Sequence, residues 1–281
     1  MNILESDIEK FVIELLRKGG FYYLSPEALA LEREQLDEVV LIGRLRKAVG
    51  DLNHDASEAV RERAIKEALE LNKPGIADNN EDFYRMFIEG IKIDVAEDGH
   101  IRGKVVHLID FENIENNDFV VANQFSVHGA RERRPDVVIF VNGLPLVVIE
   151  LKNPEDENAT TYSAYKQLQT YKHDIPNLFF YNGILVASDG FDARAGSLSA
   201  DWSRFVEWKD KNGIKKDIKL VPQIETLVSK MLNKKTLLDL VRNFTVFEKI
   251  KQQDKSTGLI TVETIKKIGA YHQFHAVNKA V

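Results

Sequence analysis

The sequence contains no cysteine among its 281 residues. This absence excludes disulfide bonds, thiolate metal sites and cysteine nucleophiles, and it fits the reducing cytoplasm, where we expect the protein to act. The sequence also lacks any apolar run near the roughly 20 residues that span a bilayer, so we expect no contact with a membrane. Its first residues lack a basic region followed by an apolar one, so we expect no signal peptide.

Acidic residues outnumber basic ones: the sequence has 44 aspartates and glutamates and 38 lysines and arginines, which gives a net charge of −6. Such a protein is not coated in basic surface, so any contact with nucleic acid must come from local patches. The seven histidines show no spacing typical of a zinc site. Residues 99–105 resemble a phosphate-binding loop, but the glycines are one residue too close and no Ser or Thr follows Lys104, so no nucleotide-triphosphate site is expected.

Hydrophobic periodicity predicts helices and strands along a chain whose composition, 44% hydrophobic and 29% charged, is typical of a globular protein. Helices are predicted over residues 4–18, 33–48, 56–71, 80–90 and 160–173, and the pattern is helical again from residue 222 onwards. Strands are predicted at residues 21–24, 105–109, 119–127 and 183–190, with shorter β-like segments at 194–198 and 205–208. Residues 209–219 are polar and lysine-rich and form the best candidate for a linker. This order of elements indicates an α/β protein with a mixed β-sheet flanked by helices.

A β-hairpin is predicted at the centre of the chain. Val137–Val141 and residues 146–149 are short apolar runs rich in β-branched residues, and Asn142-Gly143 between them is the strongest short hairpin signal. Because both runs are apolar throughout, we expect strands that are buried on both faces. A hairpin symmetric about Gly143 places the residue before the first run opposite the residue after the second, whereas a bulge would shift this register by one residue.

Charged residues appear where these strands end, at Asp136, Glu150 and Lys152. In the symmetric register Asp136 lies opposite Glu150, with their Cβ atoms roughly 5 Å apart, and Lys152 shares a face with Glu150 because side chains alternate along a strand. Two carboxylates this close repel each other unless a cation neutralises them, and Mg²⁺ typically takes one or two carboxylates together with substrate phosphate. The lysine ammonium is suited to holding a nucleophilic water or to stabilising the negative charge that develops on a phosphate. The alternative is a structural Asp–Lys or Glu–Lys pair, although charges that end a buried strand are less ordinary than charges on a solvated face.

Three further residues are candidates for a supporting role. Gln167 and Tyr171 lie four residues apart and project from one face of a predicted helix, where an amide and a hydroxyl can reach a phosphate or hold a catalytic loop. Most such pairs are ordinary helix-surface residues, and only the preceding Glu-x-Lys strand makes this one informative. Glu9 lies beside the apolar stripe of the first helix, where a glutamate most often compensates the helix dipole or is solvated.

Three arginines, Arg131, Arg133 and Arg134, precede Asp136 and place positive charge beside the predicted site. A basic edge at this position suits the backbone of a nucleic acid, and we therefore predict that these arginines bind DNA. Salt bridges to surrounding acids are an equally good interpretation for each arginine taken singly.

The spacing Pro135-Asp136 … Glu150-x-Lys152 matches the motif of the PD-(D/E)xK nuclease superfamily, and the Gln-x-x-x-Tyr pair matches an extension found in some of its branches. More closely, residues 134–152 resemble the N-terminal nuclease domain of the restriction (R) subunit of type I restriction-modification enzymes. Further segments that resemble this subunit lie at residues 108–111, 167–171, 187–190, 242–247 and 271–278. The last two are similar to the segment that precedes the helicase motor in those subunits.

The resemblance implies how the chain is organised. Residues 1–220 would form a nuclease domain with a restriction-endonuclease-like core and a helical insertion around residues 33–90, and residues 221–281 would form a helical connector. R subunits continue into an ATP-driven DNA translocase, so the chain is expected to be an N-terminal piece of a longer polypeptide, and ATP would act only through that missing motor. The implied partners are double-stranded DNA and the methyltransferase and specificity subunits of the restriction complex.

The resemblance also implies roles for the site residues. Asp136 and Glu150 would bind Mg²⁺, with Mn²⁺ as a substitute, and the backbone carbonyl of Leu151 would help to hold the ion. Lys152 would complete the catalytic centre, and the Gln/Tyr helix would support activity. Many superfamily members also use an acid on the first helix, and Glu9 fits that pattern.

The expected function is a Mg²⁺-dependent DNA endonuclease domain that hydrolyses phosphodiester bonds with little sequence preference of its own. A stand-alone repair or Mrr-like nuclease with the same site is one alternative. A DNA- or partner-binding module that has lost catalysis is another, and the intact Asp136, Glu150 and Lys152 argue against it.

Overall fold

The computed structural model describes residues 4–97, 100–153, 160–209, 223–253 and 260–280. Its helices are α1 (Glu5–Lys18), α2 (Pro26–Leu31), α3 (Ile42–Leu52), α4 (Glu58–Leu69), α5 (Ile76–Glu89), α6 (Thr161–Asp174), α7 (Pro176–Phe179), α8 (Gln223–Thr226), α9 (Lys234–Asn243) and α10 (Tyr271–Ala280). Its strands are β1 (Tyr22–Leu24), β2 (Ile91–Glu97), β3 (His100–Val106), β4 (Phe119–Asn123), β5 (Val137–Val141), β6 (Leu144–Leu151), β7 (Ile184–Ser188), β8 (Ala193–Gly196), β9 (Thr245–Gln253) and β10 (Ile260–Ile268). Within these ranges, no helix combines the length and the apolar character needed to cross a membrane.

Six strands form the central sheet, in the order β1-β4-β5-β6-β7-β8. β1 pairs with β4 and β6 with β7 in parallel, and the other neighbours are antiparallel. Every residue of β5, β6 and β7 is buried, because α1 packs against β4 and β6 while α6 packs against β6 and β7. The predicted fold class, a mixed β-sheet flanked by helices, is therefore confirmed.

The turn of the central hairpin has the predicted form. Asn142 and Gly143 both have positive φ values, 52° and 79°, which is the type I′ geometry that an Asn-Gly pair favours. Next to the turn, Val141 pairs with Leu144, so the symmetric register predicted there is wrong by one residue. A shift between Ile139 and Phe140 corrects this offset, and beyond it Val137 pairs with Ile149 as predicted.

The helix predicted over residues 33–48 is wrong for residues 33–41, whereas residues 42–48 lie in α3. The structure has α2 before this segment, and α3 begins only after Leu41, whose N–H donates a hydrogen bond to the carbonyl of Gly143. The residues between the two helices carry the chain across the hairpin turn and bury Val39 and Val40 on the way. Contact with the turn, rather than local helix propensity, therefore sets where α3 starts.

Two predicted strands also change. Of the strand predicted at residues 105–109, only Val105 and Val106 lie in a strand, where they end β3, which forms an antiparallel hairpin with β2. The strand predicted at residues 119–127 stops at Asn123, because Gln124 adopts a left-handed backbone with φ 52°. Val127 keeps only an isolated bridge to Arg133.

The helical pattern predicted from residue 222 onwards is wrong for β9 and β10, which pair as an antiparallel hairpin. Lys266 of β10 is buried, and its ammonium donates to Asn80 Oδ1 at 2.9 Å and to the carbonyl of Asn182 at 2.5 Å. Burial lowers the pKa of Lys266 to about 7. The terminal hairpin is thus fixed to α5 and to the residues just before β7. Most of the predicted linker, residues 210–219, lies outside the described residues, and the division of the chain near residue 220 stays a prediction.

Candidate active site

The predicted site forms where β5 begins and β6 ends. Asp136 immediately precedes β5, Glu150 is the penultimate residue of β6, and Lys152 follows that strand. The Leu151 N–H donates to Asp136 Oδ2 at 2.7 Å, which holds the aspartate against the end of β6. Asp136 is 7% exposed and Glu150 is fully buried, so both carboxylates lie in a region where charge is costly.

The two carboxylates are incompletely compensated. Lys152 Nζ donates to Glu150 Oε1 at 2.7 Å, whereas Glu150 Oε2 is buried without a hydrogen-bond partner among the described residues. Burial raises the pKa of Glu150 to about 8, the neighbouring Asp136 charge adds to the rise, and Lys152 opposes it. Burial also raises the pKa of Asp136 to about 6. This pair requires either a shared proton or a further cation.

The donor atoms suit a hard divalent cation. Asp136 and Glu150 offer oxygen ligands, and Glu150 Oε2 accepts no hydrogen bond of normal geometry from the described residues, although the Tyr171 hydroxyl lies close to this acid. In the described ranges, no group of three or more histidine, cysteine, aspartate or glutamate side chains gathers in a way that could hold a metal ion. Two carboxylates with open positions for water and phosphate are what Mg²⁺ typically uses. The Leu151 carbonyl, predicted as a further ligand, accepts a 2.9 Å hydrogen bond from Lys152 Nζ in this structure.

Glu9 lies at the edge of this site and is 8% exposed. Its carboxylate accepts hydrogen bonds from two amides, Asn123 Nδ2 at 2.6 Å and Gln124 Nε2. After burial, which has the largest effect, the Glu9 charge contributes to the raised pKa of Asp136. The predicted acid of the first helix therefore reaches the neighbourhood of Asp136, although amides rather than carboxylates are its direct partners.

Asn123 and Gln124 are missing from the sequence-based prediction. They end β4, which pairs with β5, and the Gln124 N–H donates to the Asp136 carbonyl at 2.9 Å. One signal could have found them. Asn123 and Gln124 are polar residues that interrupt the apolar pattern of residues 119–127, and this segment pairs with β5. The same interruption was hidden within the single long strand predicted over residues 119–127.

Gln167 and Tyr171 project together from α6 as predicted. Gln167 Nε2 donates to the Tyr171 hydroxyl at 2.5 Å, and that hydroxyl donates to the Arg134 carbonyl at 3.4 Å. Tyr171 is 2% exposed, and burial followed by the nearby Glu150 charge raises its pKa. The pair therefore lies beside Glu150 of β6 and the residues that precede β5, while its part in catalysis stays a prediction.

The three arginines differ in their surroundings. Arg133 is half-buried, and its Nη2 lies 2.5 Å from the carboxylate of Asp174 at the end of α6. Arg131 and Arg134 are exposed. The salt-bridge interpretation thus holds for Arg133, and DNA binding by the three arginines stays a prediction.

Comparison with protein families places this geometry in context. The family described as type I restriction enzyme R protein N terminus matches residues 2–204 of the chain. The chain belongs to this family. The match confirms the resemblance inferred from residues 134–152, and it covers all six strands of the central sheet.

Curated relatives agree with this assignment. The chain is 37% identical to the type I restriction enzyme HindI endonuclease subunit of Haemophilus influenzae, over 99% of this chain and 26% of that protein. It is 34% identical to the putative type I restriction enzyme MjaIXP endonuclease subunit of Methanocaldococcus jannaschii, over 98% of this chain and 27% of that protein. The type I restriction enzyme EcoprrI endonuclease subunit of Escherichia coli is 28% identical over 87% of this chain and 74% of its own length. The chain thus spans about a quarter of the length of the first two relatives.

Proposed function

We propose that this chain is the Mg²⁺-dependent DNA endonuclease domain of a type I restriction enzyme R subunit. One observation carries the proposal: two buried carboxylates with raised pKa values meet a lysine at the end of β6, and one carboxylate oxygen has no described partner. Perturbed acids that a cation would neutralise are typical of functional sites. The relatives, which are named as endonuclease subunits, support the same reading.

Five residues have defined tasks in this proposal. Asp136 and Glu150 would hold Mg²⁺ or Mn²⁺, which would supply Lewis-acid chemistry to the scissile phosphate and to an attacking water. Lys152 carries three donors and a charge, so it orients that water or offsets negative charge on the phosphate. Tyr171 packs beside Glu150 and, with Gln167, keeps the acid in place.

Recognition of DNA in this proposal depends on the phosphate backbone. The exposed Arg131 and Arg134 lie just before Asp136 along the chain and supply positive charge to a protein whose net charge is −6. Contacts to the DNA phosphate backbone position a duplex without reading its base sequence, so we expect this chain to have little sequence preference of its own. Within a complete restriction enzyme, an ATP-driven motor would trigger cutting, and methyltransferase and specificity subunits would choose the site.

A calorimetric titration tests the proposal. Mg²⁺ and, separately, Mn²⁺ are titrated into the wild-type chain, into Asp136→Ala and into Asp51→Ala, which removes an exposed aspartate of α3 that pairs with Lys47. Binding by the wild type and by Asp51→Ala, with loss of binding in Asp136→Ala, is expected. Equal binding by all three proteins, or none by the wild type, would contradict the proposed site and favour a catalytically silent binding module.

A further inference from the structure

The end of β4 has an unusual backbone conformation. Asn123 is the last residue of the strand, and Gln124 adopts a φ of 52° in the left-handed region that residues other than glycine rarely occupy. The backbone on both sides is well anchored, because the Gln124 N–H donates to the Asp136 carbonyl at 2.9 Å and the Phe125 N–H donates to the Pro135 carbonyl at 3.2 Å. The left-handed residue therefore lies directly beside the start of the catalytic strand β5.

This conformation has a geometric effect on two neighbouring side chains. Consecutive residues of an extended strand point to opposite faces of a sheet. Asn123 and Gln124 nevertheless both donate to one carboxylate, that of Glu9, through Nδ2 and Nε2. The left-handed turn at Gln124 is what allows two consecutive amides to converge on the same group.

The orientation of the Asn123 amide is also fixed. The Tyr23 hydroxyl donates to Asn123 Oδ1 at 2.9 Å, so the amide nitrogen is the atom left to face Glu9. Each oxygen of the Glu9 carboxylate then accepts one amide N–H. Glu9 is held in a single orientation by residues that are themselves anchored to β1, β4 and β5.

We propose that Gln124 and Asn123 are positioning residues of the nuclease site, which orient the Glu9 carboxylate beside Asp136. This inference rests on the proposed function, because it assigns the amides a role through Glu9. Backbone strain that persists next to a site of perturbed acids is typical of functional constraint. Partners that orient a group of a metal site typically change metal affinity or activity by about 10- to 100-fold when they are removed.

A pair of variants at Gln124 separates positioning from stability. Both Gln124→Ala and Gln124→Gly remove the amide, but only glycine accepts the left-handed backbone without strain, so Gln124→Gly should melt about 2–4 °C above Gln124→Ala. In the full-length enzyme, both should lower kcat for DNA cleavage by about tenfold or more with little change in KM. If the residue were only structural, cleavage would follow the melting temperature and Gln124→Gly would retain most activity, which would overturn the inference.

A double-mutant cycle tests whether Gln124 acts through Glu9. Gln124→Ala should cost about tenfold in the wild-type background and less than about twofold in a Glu9→Ala background, because the group that it positions is gone. Equal costs in the two backgrounds would overturn the inference.

Titration of this chain with Mn²⁺ alone gives a readout besides cleavage. Gln124→Ala and Gln124→Gly should both weaken Mn²⁺ binding by about 10-fold or more relative to the wild type. A wild type that neither binds Mn²⁺ nor cleaves DNA would overturn the proposed function itself. A wild type that does both, with Gln124 variants that match it, would overturn only the positioning role.

Discussion

Lys152 Nζ lies 2.7 Å from Glu150 Oε1, although the two residues are separated by a single position and the glutamate is fully buried. Because side chains alternate along extended backbone, Lys152 just after β6 lies on the same face as Glu150, and its ammonium donates to one of the two carboxylate oxygens. The other oxygen has no partner among the described residues, and the pKa of Glu150 is still raised to about 8 by burial. A structural ion pair would be expected to satisfy the acid more completely.

Replacement of Lys152 distinguishes chemistry from structure. Under the proposed function, Lys152→Ala in a complete R subunit should abolish DNA cleavage and leave ATP hydrolysis and translocation intact, because the lysine lies at the end of β6 in this chain and not in the proposed motor. If Lys152 were needed chiefly for stability, its loss would strand Glu150 at a cost of roughly 3–5 kcal/mol, and melting temperature would fall with activity. Lys166→Ala, which removes an exposed lysine of α6, is the matched control. A Lys152→Ala enzyme that cuts DNA at the wild-type rate would refute the catalytic assignment.

The raised pKa values of Asp136 and Glu150 predict that the metal-free chain loses stability as pH increases. A carboxyl group whose pKa is raised on folding contributes stability that is complete below its unfolded pKa and is lost as pH rises through its folded pKa. For Asp136 and Glu150 this interval runs from about 4 to about 8, so melting temperature should fall by several degrees from pH 5 to pH 7, below the range in which the lowered pKa of Lys266, about 7, adds an opposing increase. Thermal melts of the wild type and of Glu150→Gln measure this, and the variant should show a flatter profile. An identical pH dependence of the two proteins would contradict the prediction.

Gln167 should matter for cleavage and little for stability. Its amide contacts only the Tyr171 hydroxyl among the described groups, so Gln167→Ala should reduce cleavage several-fold and change the melting temperature by no more than about 2 °C. Gln169→Ala removes a half-buried glutamine of the same helix that donates to the Tyr165 carbonyl, and it should leave cleavage unchanged. Cleavage assays paired with melting curves compare the two variants. Equal cleavage rates of the two variants would show that Gln167 does not support the activity of the site.

The three arginines should separate into two groups. Arg131→Ala and Arg134→Ala should weaken DNA binding to a similar extent on every sequence. Each should also reduce the slope of the logarithm of the binding constant against the logarithm of salt concentration by about 1, because one phosphate contact is lost. Arg133→Ala should instead lower the melting temperature, because it removes the partner of the buried Asp174. Binding isotherms at several salt concentrations, together with melting curves, test both statements. Tight sequence-specific binding that salt does not affect would contradict backbone recognition.

The face that carries the candidate site could be predicted from sequence because it depends on local rules. A period of two and an Asn-Gly turn determine which residues of one hairpin share a face, so Asp136, Glu150 and Lys152 are brought together as expected. The bulge at Ile139 even restores the predicted register at the site end of the hairpin. The contact between Glu9 and Asn123 joins residues 114 positions apart, and no local pattern reports it.

The errors share a physical cause, which is that tertiary contacts overrode local propensity. The terminal hairpin is rich in lysine, glutamate and glutamine, which favour helices, yet Thr264 and Lys266 pair it with α5 through Asp78 and Asn80. The start of α3 is set by the Gly143 carbonyl in the same way. Packing partners far along the chain decided both elements.

Burial of Lys266 makes it a chemical reporter for the terminal hairpin. Its amine is enclosed by Asn80 and Asn182, whereas the adjacent Lys267 is exposed. An amine-acylating reagent in water can reach Lys267 at once, but it reaches Lys266 only when the hairpin separates from α5. The ratio of acylation at these two neighbouring lysines therefore measures how often that opening occurs. A partner that detaches the hairpin from α5 would raise the acylation of Lys266 relative to that of Lys267. No mutation is needed to measure this change.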